Sequence, residues 1–216
     1  MELIPANIKN IVFDLDGTLI DSSAGVIEAT NYALKAIGEK ERSGEEIKSF
    51  IGFPLEEMFH HFSGGEYGSF YRNFQLKAIE TVAASAVPIV AADKVLQTLH
   101  GRGYCLGIGT TKIRIHVIKI LSRLNWHHYV SAIVGADDVD DVKPAPEAFQ
   151  KVLRRMNGAG GDAVVVGDTV NDIRAAHAAG IPAIGIRSVF GRYDDLKNSR
   201  PELLLDNLDG LLEIFI

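Results

Sequence analysis

Short apolar runs that alternate with helical patterns are the feature that most limits how this chain can fold. Five runs are hydrophobic on both faces and bounded by turn residues or glycine: residues 8–13, 104–109, 132–134, 163–166 and 183–186. Such runs are typical of strands covered on both sides. Between them, apolar residues recur at helical spacing in residues 95–99, 117–124 and 148–156. The alternation predicts an α/β fold, a Rossmann-like doubly wound parallel sheet with helices on both faces.

One connection between predicted strands is far longer than this fold requires. About 90 residues separate Asp14 from Tyr104, whereas a crossover between parallel strands needs about a dozen. A helix over residues 92–102 is sufficient for that crossover. The surplus segment has apolar residues at spacings of three and four and no convincing strand, which is typical of a small helical bundle. We therefore predict an inserted α-helical cap domain, with boundaries at residues 19–87 for the cap and 1–18 and 88–216 for the core.

Composition excludes several classes of function. The chain has 216 residues, 28 acidic against 22 basic side chains, and a net charge of −6. This balance argues against a nucleic-acid binder and against a protein of anionic membrane surfaces. The single cysteine, Cys105, allows no intrachain disulfide, and residues 1–10 lack a secretory signal pattern. We expect a cytoplasmic protein, either a monomer or a homodimer, without a membrane or nucleic-acid partner.

Polar side chains follow the predicted strands where ligands bind in open α/β sheets, at the carboxyl ends. The strand exits carry the segments Asp14-Leu15-Asp16-Gly17-Thr18, Thr110-Thr111-Lys112, and Gly167-Asp168 with Asp172 beyond, while Lys143 follows an acidic loop. If these exits converge, several carboxylates crowd together, and a shared cation would relieve their repulsion. An oxygen-only donor set without histidine or cysteine favours Mg²⁺ over zinc.

The first of these segments suits phosphoryl transfer. Asp14 and Asp16, two residues apart on an extended segment, face the same side, so that one carboxylate can attack phosphorus while the other donates a proton. Gly17 permits a tight turn that exposes backbone N–H groups to phosphoryl oxygens. Thr110 and Lys143 supply a hydroxyl and a cation, which stabilise negative charge on a transferred phosphoryl group.

Taken in order, these motifs resemble the haloacid dehalogenase superfamily, in particular its phosphatases with a helical cap after the first motif. Residues 50–55 and 143–147 look like the phosphoglycolate phosphatase subgroup. The resemblance covers nearly the whole chain. It implies a Mg²⁺-dependent phosphatase that hydrolyses a small phosphorylated metabolite, such as a phosphoglycolate-like compound or a sugar phosphate. Dehalogenases of the superfamily typically lack an acid at the position of Asp16, so we set dehalogenation aside.

The resemblance also implies residue roles. Asp14 attacks and becomes phosphorylated, and Asp16 protonates the leaving alcohol and then activates water. Thr110 and Lys143 complete the catalytic set. Metal binding is assigned to Asp14, the backbone carbonyl of Asp16, Asp168 and Asp172. Substrate binding is assigned to Gly17, Thr18, Thr110, Thr111, Lys143, Phe53 and Arg72.

Some features leave the reaction and substrate open. Thr111 stands where relatives often have asparagine, which weakens any inference about the substrate. A phosphosugar mutase of the same superfamily shares much of the pattern. A non-catalytic phosphoacceptor or regulatory protein is a further alternative, although a receiver module needs no helical insertion after its first strand.

Overall fold

A parallel sheet forms the centre of the molecule, and five of its strands are the predicted ones. The computed structural model describes residues 4–188, 190 and 192–215. Within them, six parallel strands follow the order β5-β4-β1-β6-β7-β8 and two short strands pair antiparallel. The strands are β1 (Asn10–Phe13), β2 (Ile20–Asp21), β3 (Val87–Pro88), β4 (Cys105–Gly109), β5 (Val130–Val134), β6 (Ala163–Gly167), β7 (Ala183–Ile186) and β8 (Leu203–Leu205). The predicted α/β class is therefore confirmed.

Helices cover both faces of the sheet and build the insertion. They are α1 (Ser23–Ala36), α2 (Gly44–Lys48), α3 (Leu55–Phe62), α4 (Tyr67–Ser85), α5 (Ala92–Gly101), α6 (Arg114–Arg123), α7 (Glu147–Arg155), α8 (Val170–Ala178), α9 (Tyr193–Asn198) and α10 (Gly210–Phe215). Among the described residues, none of these helices combines the length and apolarity needed to cross a bilayer.

The alternation of side chains along β1 divides the core into two apolar layers. Ile11 and Phe13 pack with buried residues of α5, α6 and α10. Val12, between them, packs on the opposite face with residues of α7, α8 and α9. All three side chains are fully buried, and each contributes roughly 1.5–3 kcal/mol by leaving water. The consecutive apolar residues Ile11, Val12 and Phe13 of this central strand are thus explained by helices on both sides.

The helical insertion lies between β2 and β3. Its four helices, α1 to α4, include the predicted stripe from Phe70 to Val82, which is buried on α4. The helix pair α1 and α4 packs closely, since a Cβ at Gly25 would lie 2.7 Å from the backbone of Val82. α4 also contacts the core helix α6. The inserted helical cap is therefore present.

The prediction that the insertion contains no strand is wrong at its ends. Ile20 pairs with Pro88, and Asp21 pairs with Val87. Two residues are too few to leave an alternating pattern, so the sequence gives no signal for this pair. The exact domain boundaries stay a prediction, and residues 1–3, 189, 191 and 216 of the predicted core lie outside the described residues.

Candidate active site

The site forms where β1, β4 and β6 end side by side. Asp14, Thr110 and Asp168 each come directly after one of these strands, and all three are buried. The sheet pairing continues into them: the N–H of Asp14 donates to the carbonyl of Val166 at 2.8 Å, and that of Thr110 donates to Val134 at 3.0 Å. Because backbone hydrogen bonds hold these residues, their side chains project from a rigid edge of the sheet.

Lys143 links two of the buried carboxylates. Its ammonium group donates to Asp14 Oδ1, to Asp172 Oδ1 at 2.6 Å and to the carbonyl of Gly109 at 3.2 Å. The residue is 1% exposed. Burial opposes the charge, but Asp14 and Asp172 outweigh it and hold the pKa of Lys143 above its usual range. A permanently charged ammonium at this point can bind phosphoryl oxygens.

The second oxygen of Asp14 has no partner. Oδ2 is buried and accepts no hydrogen bond from the protein. Burial raises the pKa of Asp14 to about 7, the charge of Asp172 acts in the same direction, and Lys143 opposes both. An unsatisfied buried carboxylate oxygen is costly unless a cation or a donor reaches it.

Three aspartates offer oxygen ligands for such a cation. Asp14, Asp168 and Asp172 each have one carboxylate oxygen within 4.8 Å of the others. Burial, together with the charges of Asp172 and Asp14, holds the pKa of Asp168 well above its usual range. Crowded, buried oxygen donors, one of them without any partner, fit a hard divalent ion such as Mg²⁺.

Asp168 is held by hydroxyl groups on both sides. Thr18 Oγ1 donates to Oδ1 at 3.0 Å, and Ser188 Oγ donates to Oδ2 at 2.6 Å. The structure therefore gives Thr18, predicted to bind substrate, a different contact: its hydroxyl is fully buried against Asp168. Ser188 was missed, because its position depends on the loop after β7, which carries no recognisable pattern.

Gly17 has two roles that differ in part from the prediction. Its φ of +88° provides the expected tight turn. A Cβ at this position would lie 2.1 Å from Oδ2 of Asp168, so glycine is required for the approach of the two segments. Its own N–H donates to the carbonyl of Ile20 at 2.8 Å. That N–H closes the turn, and binding of phosphoryl oxygens by the backbone N–H groups of this turn stays a prediction.

Asp172 is fixed by the start of α8. Its Oδ2 accepts from the N–H of Thr169 at 2.9 Å and from Thr169 Oγ1 at 2.7 Å, which completes a capping box. Its Oδ1 accepts from Lys143. Both oxygens of Asp172 are thus engaged within the protein, whereas Asp14 retains a free one. Asp172 orients Lys143 as well as adding charge to the cluster.

Asp16 contacts a lysine that the sequence analysis did not select. Oδ2 of Asp16 lies 3.1 Å from Lys112 Nζ, and Ser22 Oγ donates to Oδ1. The Lys112 side chain is 10% exposed. The backbone N–H of Lys112 donates to Thr110 Oγ1 at 3.2 Å, which orients the Thr110 side chain. The sequence signal that could have identified Lys112 was its position at the exit of β4, two residues after Thr110.

A cavity of about 270 Å³ lies between the cap and the core, next to Asp16. Phe53 and Thr111 line it, as expected for two residues assigned to substrate binding. Arg72 does not line it: the side chain is exposed on α4 and donates to Ser69 Oγ at 2.9 Å. The reason is that its guanidinium group contacts Ser69, one turn earlier on the same helix, instead of turning toward the cavity.

Comparisons with known proteins show the family of the chain. A sequence model of the family described as haloacid dehalogenase-like hydrolase matches residues 11–186. The chain is 31% identical to a pyrophosphatase, PpaX, of Anoxybacillus flavithermus, over 96% of this chain and 97% of that protein. It is also 31% identical to a phosphoglycolate phosphatase of Yersinia pestis, over 95% of this chain and 92% of that one.

The comparison with solved structures gives the same family. A haloacid dehalogenase-like family hydrolase from Streptococcus pneumoniae superposes with a TM-score of 0.89 at 28% identity, covering 98% of this chain and 100% of the other. The matches therefore include the cap as well as the sheet. The chain belongs to the haloacid dehalogenase-like hydrolases and is a phosphatase of that superfamily.

Proposed function

We propose that this phosphatase hydrolyses small-molecule phosphomonoesters with Mg²⁺, through a phosphorylated Asp14. The observation that carries the proposal is the set of contacts made by the two oxygens of the Asp14 carboxylate. One oxygen accepts from Lys143, and the other is buried without a partner beside Asp168. A carboxylate held rigidly between an ammonium group and a candidate cation site is placed to attack phosphorus.

The reaction proceeds in two displacements. An oxygen of Asp14 forms a bond to phosphorus while the bond from phosphorus to the ester oxygen breaks, and Asp16 donates a proton to the departing alcohol. Asp16 then removes a proton from water, which attacks phosphorus. Inorganic phosphate leaves and the Asp14 carboxylate is restored. Lys112, 3.1 Å from Asp16 Oδ2, holds that side chain in place during both transfers.

Other residues bind the phosphoryl group and the ion. Thr110 and Lys143 contact the phosphoryl oxygens, and Asp172 orients Lys143. Asp14 and Asp168 would be the carboxylate ligands for Mg²⁺, with the carbonyl of Asp16 as a third ligand. When bound, Mg²⁺ supplies positive charge that offsets the charge of these carboxylates and of the phosphoryl group. Asp172 adds negative charge beside the ion.

The test is phosphate release from 4-nitrophenyl phosphate, with Mg²⁺ and with chelator. Asp14→Asn should reduce turnover roughly a thousandfold or more, because it removes the nucleophile. Asp209→Asn is the matched control, since Asp209 pairs on the surface with Lys94 and should keep full activity. Substantial Mg²⁺-dependent turnover by Asp14→Asn would contradict the proposal. Full wild-type turnover after complete metal removal would contradict the metal assignment.

A further inference from the structure

The cavity beside Asp16 has walls that are mainly apolar. The cap contributes aromatic and aliphatic side chains such as Phe50, Phe53, Met58 and Phe74, and the core contributes Ile113 and Val142. The cavity reaches the site at Asp16, Thr111 and Lys112. It therefore lies where the alcohol part of an ester would be, once its phosphoryl group is at Asp14.

Charge on the cavity wall is unfavourable for an anion. Three carboxylates line the cavity, those of Asp16, Glu56 and Asp137. Among the described residues, Lys112 is the one lining side chain with an ammonium or guanidinium group, and it is paired with Asp16 at 3.1 Å. A carboxylate or second phosphate on the leaving group would thus meet repulsion with no free cation to offset it.

The wall also offers two neutral polar groups without partners. Nε2 of His116 and Oε1 of Gln75 are buried and form no hydrogen bond within the protein. Both residues line the cavity, and His116 is 3% exposed. Burial, with the charges of Lys112 and Lys119, lowers the pKa of His116 to about 4, so its ring is uncharged near neutral pH. Such groups suit a hydroxyl or amide of a bound molecule.

We propose that the cap cavity selects phosphomonoesters whose leaving alcohol is uncharged and largely apolar, of about the size of one substituted ring. An apolar cavity of about 150 Å³ is large enough for benzene, and this one measures about 270 Å³. Hydrogen bonds from a polar substituent to Gln75 and His116 orient the alcohol. The inference rests on the proposed function, and it excludes doubly anionic esters as preferred substrates.

Three esters of matched shape test the charge preference. Benzyl phosphate and 4-carbamoylbenzyl phosphate have uncharged leaving alcohols, and 4-carboxybenzyl phosphate has an anionic one. We expect kcat/KM for both neutral esters to exceed that for the carboxylate by roughly tenfold or more. Equal or higher kcat/KM for the carboxylate would overturn this inference and leave the proposed function intact. No turnover of any ester, including 4-nitrophenyl phosphate, would overturn the proposed function and this inference with it.

A pair of variants on α4 locates the effect in the cavity. Gln75→Arg places a cation on the wall, whereas Leu76→Arg adds the same charge at a position that is 64% exposed. Gln75→Arg should raise the ratio of kcat/KM for 4-carboxybenzyl phosphate over benzyl phosphate by roughly tenfold. Leu76→Arg should leave that ratio at the wild-type value. Identical ratios in the two variants would show that the leaving group lies elsewhere, which contradicts the inference.

Discussion

At the scale of single residues, the buried carboxylates depend on donors that water cannot replace. Thr18 is fully buried, and its hydroxyl donates to Asp168 at 3.0 Å. Thr18→Val keeps the shape but removes the donor, so we expect a loss of about 1.5–3 kcal/mol in the free energy of unfolding. Urea unfolding measures this loss of stability. Thr18→Ser retains the hydroxyl and is the control; a loss in Thr18→Val no larger than the loss in Thr18→Ser would contradict a stabilising role for this hydrogen bond.

His116 gives the molecule a pH dependence of stability. Its pKa is about 4 in the folded protein, against about 6.5 when unfolded. As pH falls below about 6.5, the unfolded chain binds a proton that the folded protein does not, so stability decreases toward pH 4. Burial of the ring is the main cause of this lowered pKa; the charges of Lys112 and Lys119 add to it, and those of Asp16 and Asp137 oppose it.

Replacing His116 removes the contribution of this residue to the pH dependence of the free energy of unfolding. Between about pH 7.5 and about pH 5, the wild type should lose on the order of 2 kcal/mol more stability than His116→Gln. Unfolding in urea at both pH values measures the difference, in which other titrating groups cancel. His127→Gln, at an exposed histidine, should behave like the wild type. Parallel pH curves for the wild type and His116→Gln would contradict the prediction.

Single residues also show what the sequence could and could not predict about the site. Asp14, Thr110 and Asp168 were predictable because each comes directly after a strand of the sheet. Lys143 and Asp172 were predictable from the order of the motifs that carry the resemblance. Arg72 was not excludable from the sequence, because Gln75, three residues further along the same helix and also off the apolar stripe, does line the cavity. The contact of Lys112 with Asp16 was not predictable, because it depends on the path of two loops rather than on a local pattern.

At the scale of elements, helix contact in the cap depends on a small residue. Gly25 of α1 is buried, and a Cβ there would lie 2.4 Å from Ser85 Oγ and 2.7 Å from the Thr81 carbonyl of α4. Backbone atoms cannot move aside as a flexible side chain can. Gly25→Ala should therefore cost about 1–3 kcal/mol of stability through overpacking.

A second helical glycine provides the control for Gly25→Ala. Gly101 ends α5 and is exposed, and a Cβ added there would have no atom within 4 Å outside its own helix and chain neighbours. Gly101→Ala should be neutral or stabilise by about 0.4–1 kcal/mol, since it only restricts the unfolded chain. Thermal and urea unfolding compare the stabilities of the Gly25→Ala and Gly101→Ala proteins. A Gly25→Ala protein as stable as Gly101→Ala would mean that α1 and α4 separate easily.

Elements also differ in how far the sequence could predict them. The five long apolar strands were predictable because both of their faces are covered. β8 was missed: Leu203–Leu205 has three half-buried residues at the edge of the sheet, too short a run to separate from a loop. The pair β2 and β3 forms only because the two ends of the insertion meet, which is a property of the tertiary fold.

At the scale of the whole molecule, the cap loop rests on the core beside the site. Gly52 has a φ of +91°, and a Cβ there would lie 2.7 Å from Cγ2 of Thr169. Thr169 is the residue whose N–H and hydroxyl hold Asp172. The same loop carries Phe53 and Pro54 into the cavity wall. The loop that lines the cavity is therefore packed directly against the residue that holds Asp172.

Gly52→Ala should disturb the cap loop and with it the wall of the cavity. The added methyl group and the left-handed backbone both push the loop from Thr169. We expect kcat/KM to fall roughly tenfold for benzyl phosphate, which fills the cavity, and less for methyl phosphate, which does not reach the loop. Gly64→Ala, also in the cap but in open space, should match the wild type for both esters. An equal fall for the two esters would place the effect at the carboxylates instead of the cap, because only contact with the loop distinguishes a large leaving group from a small one.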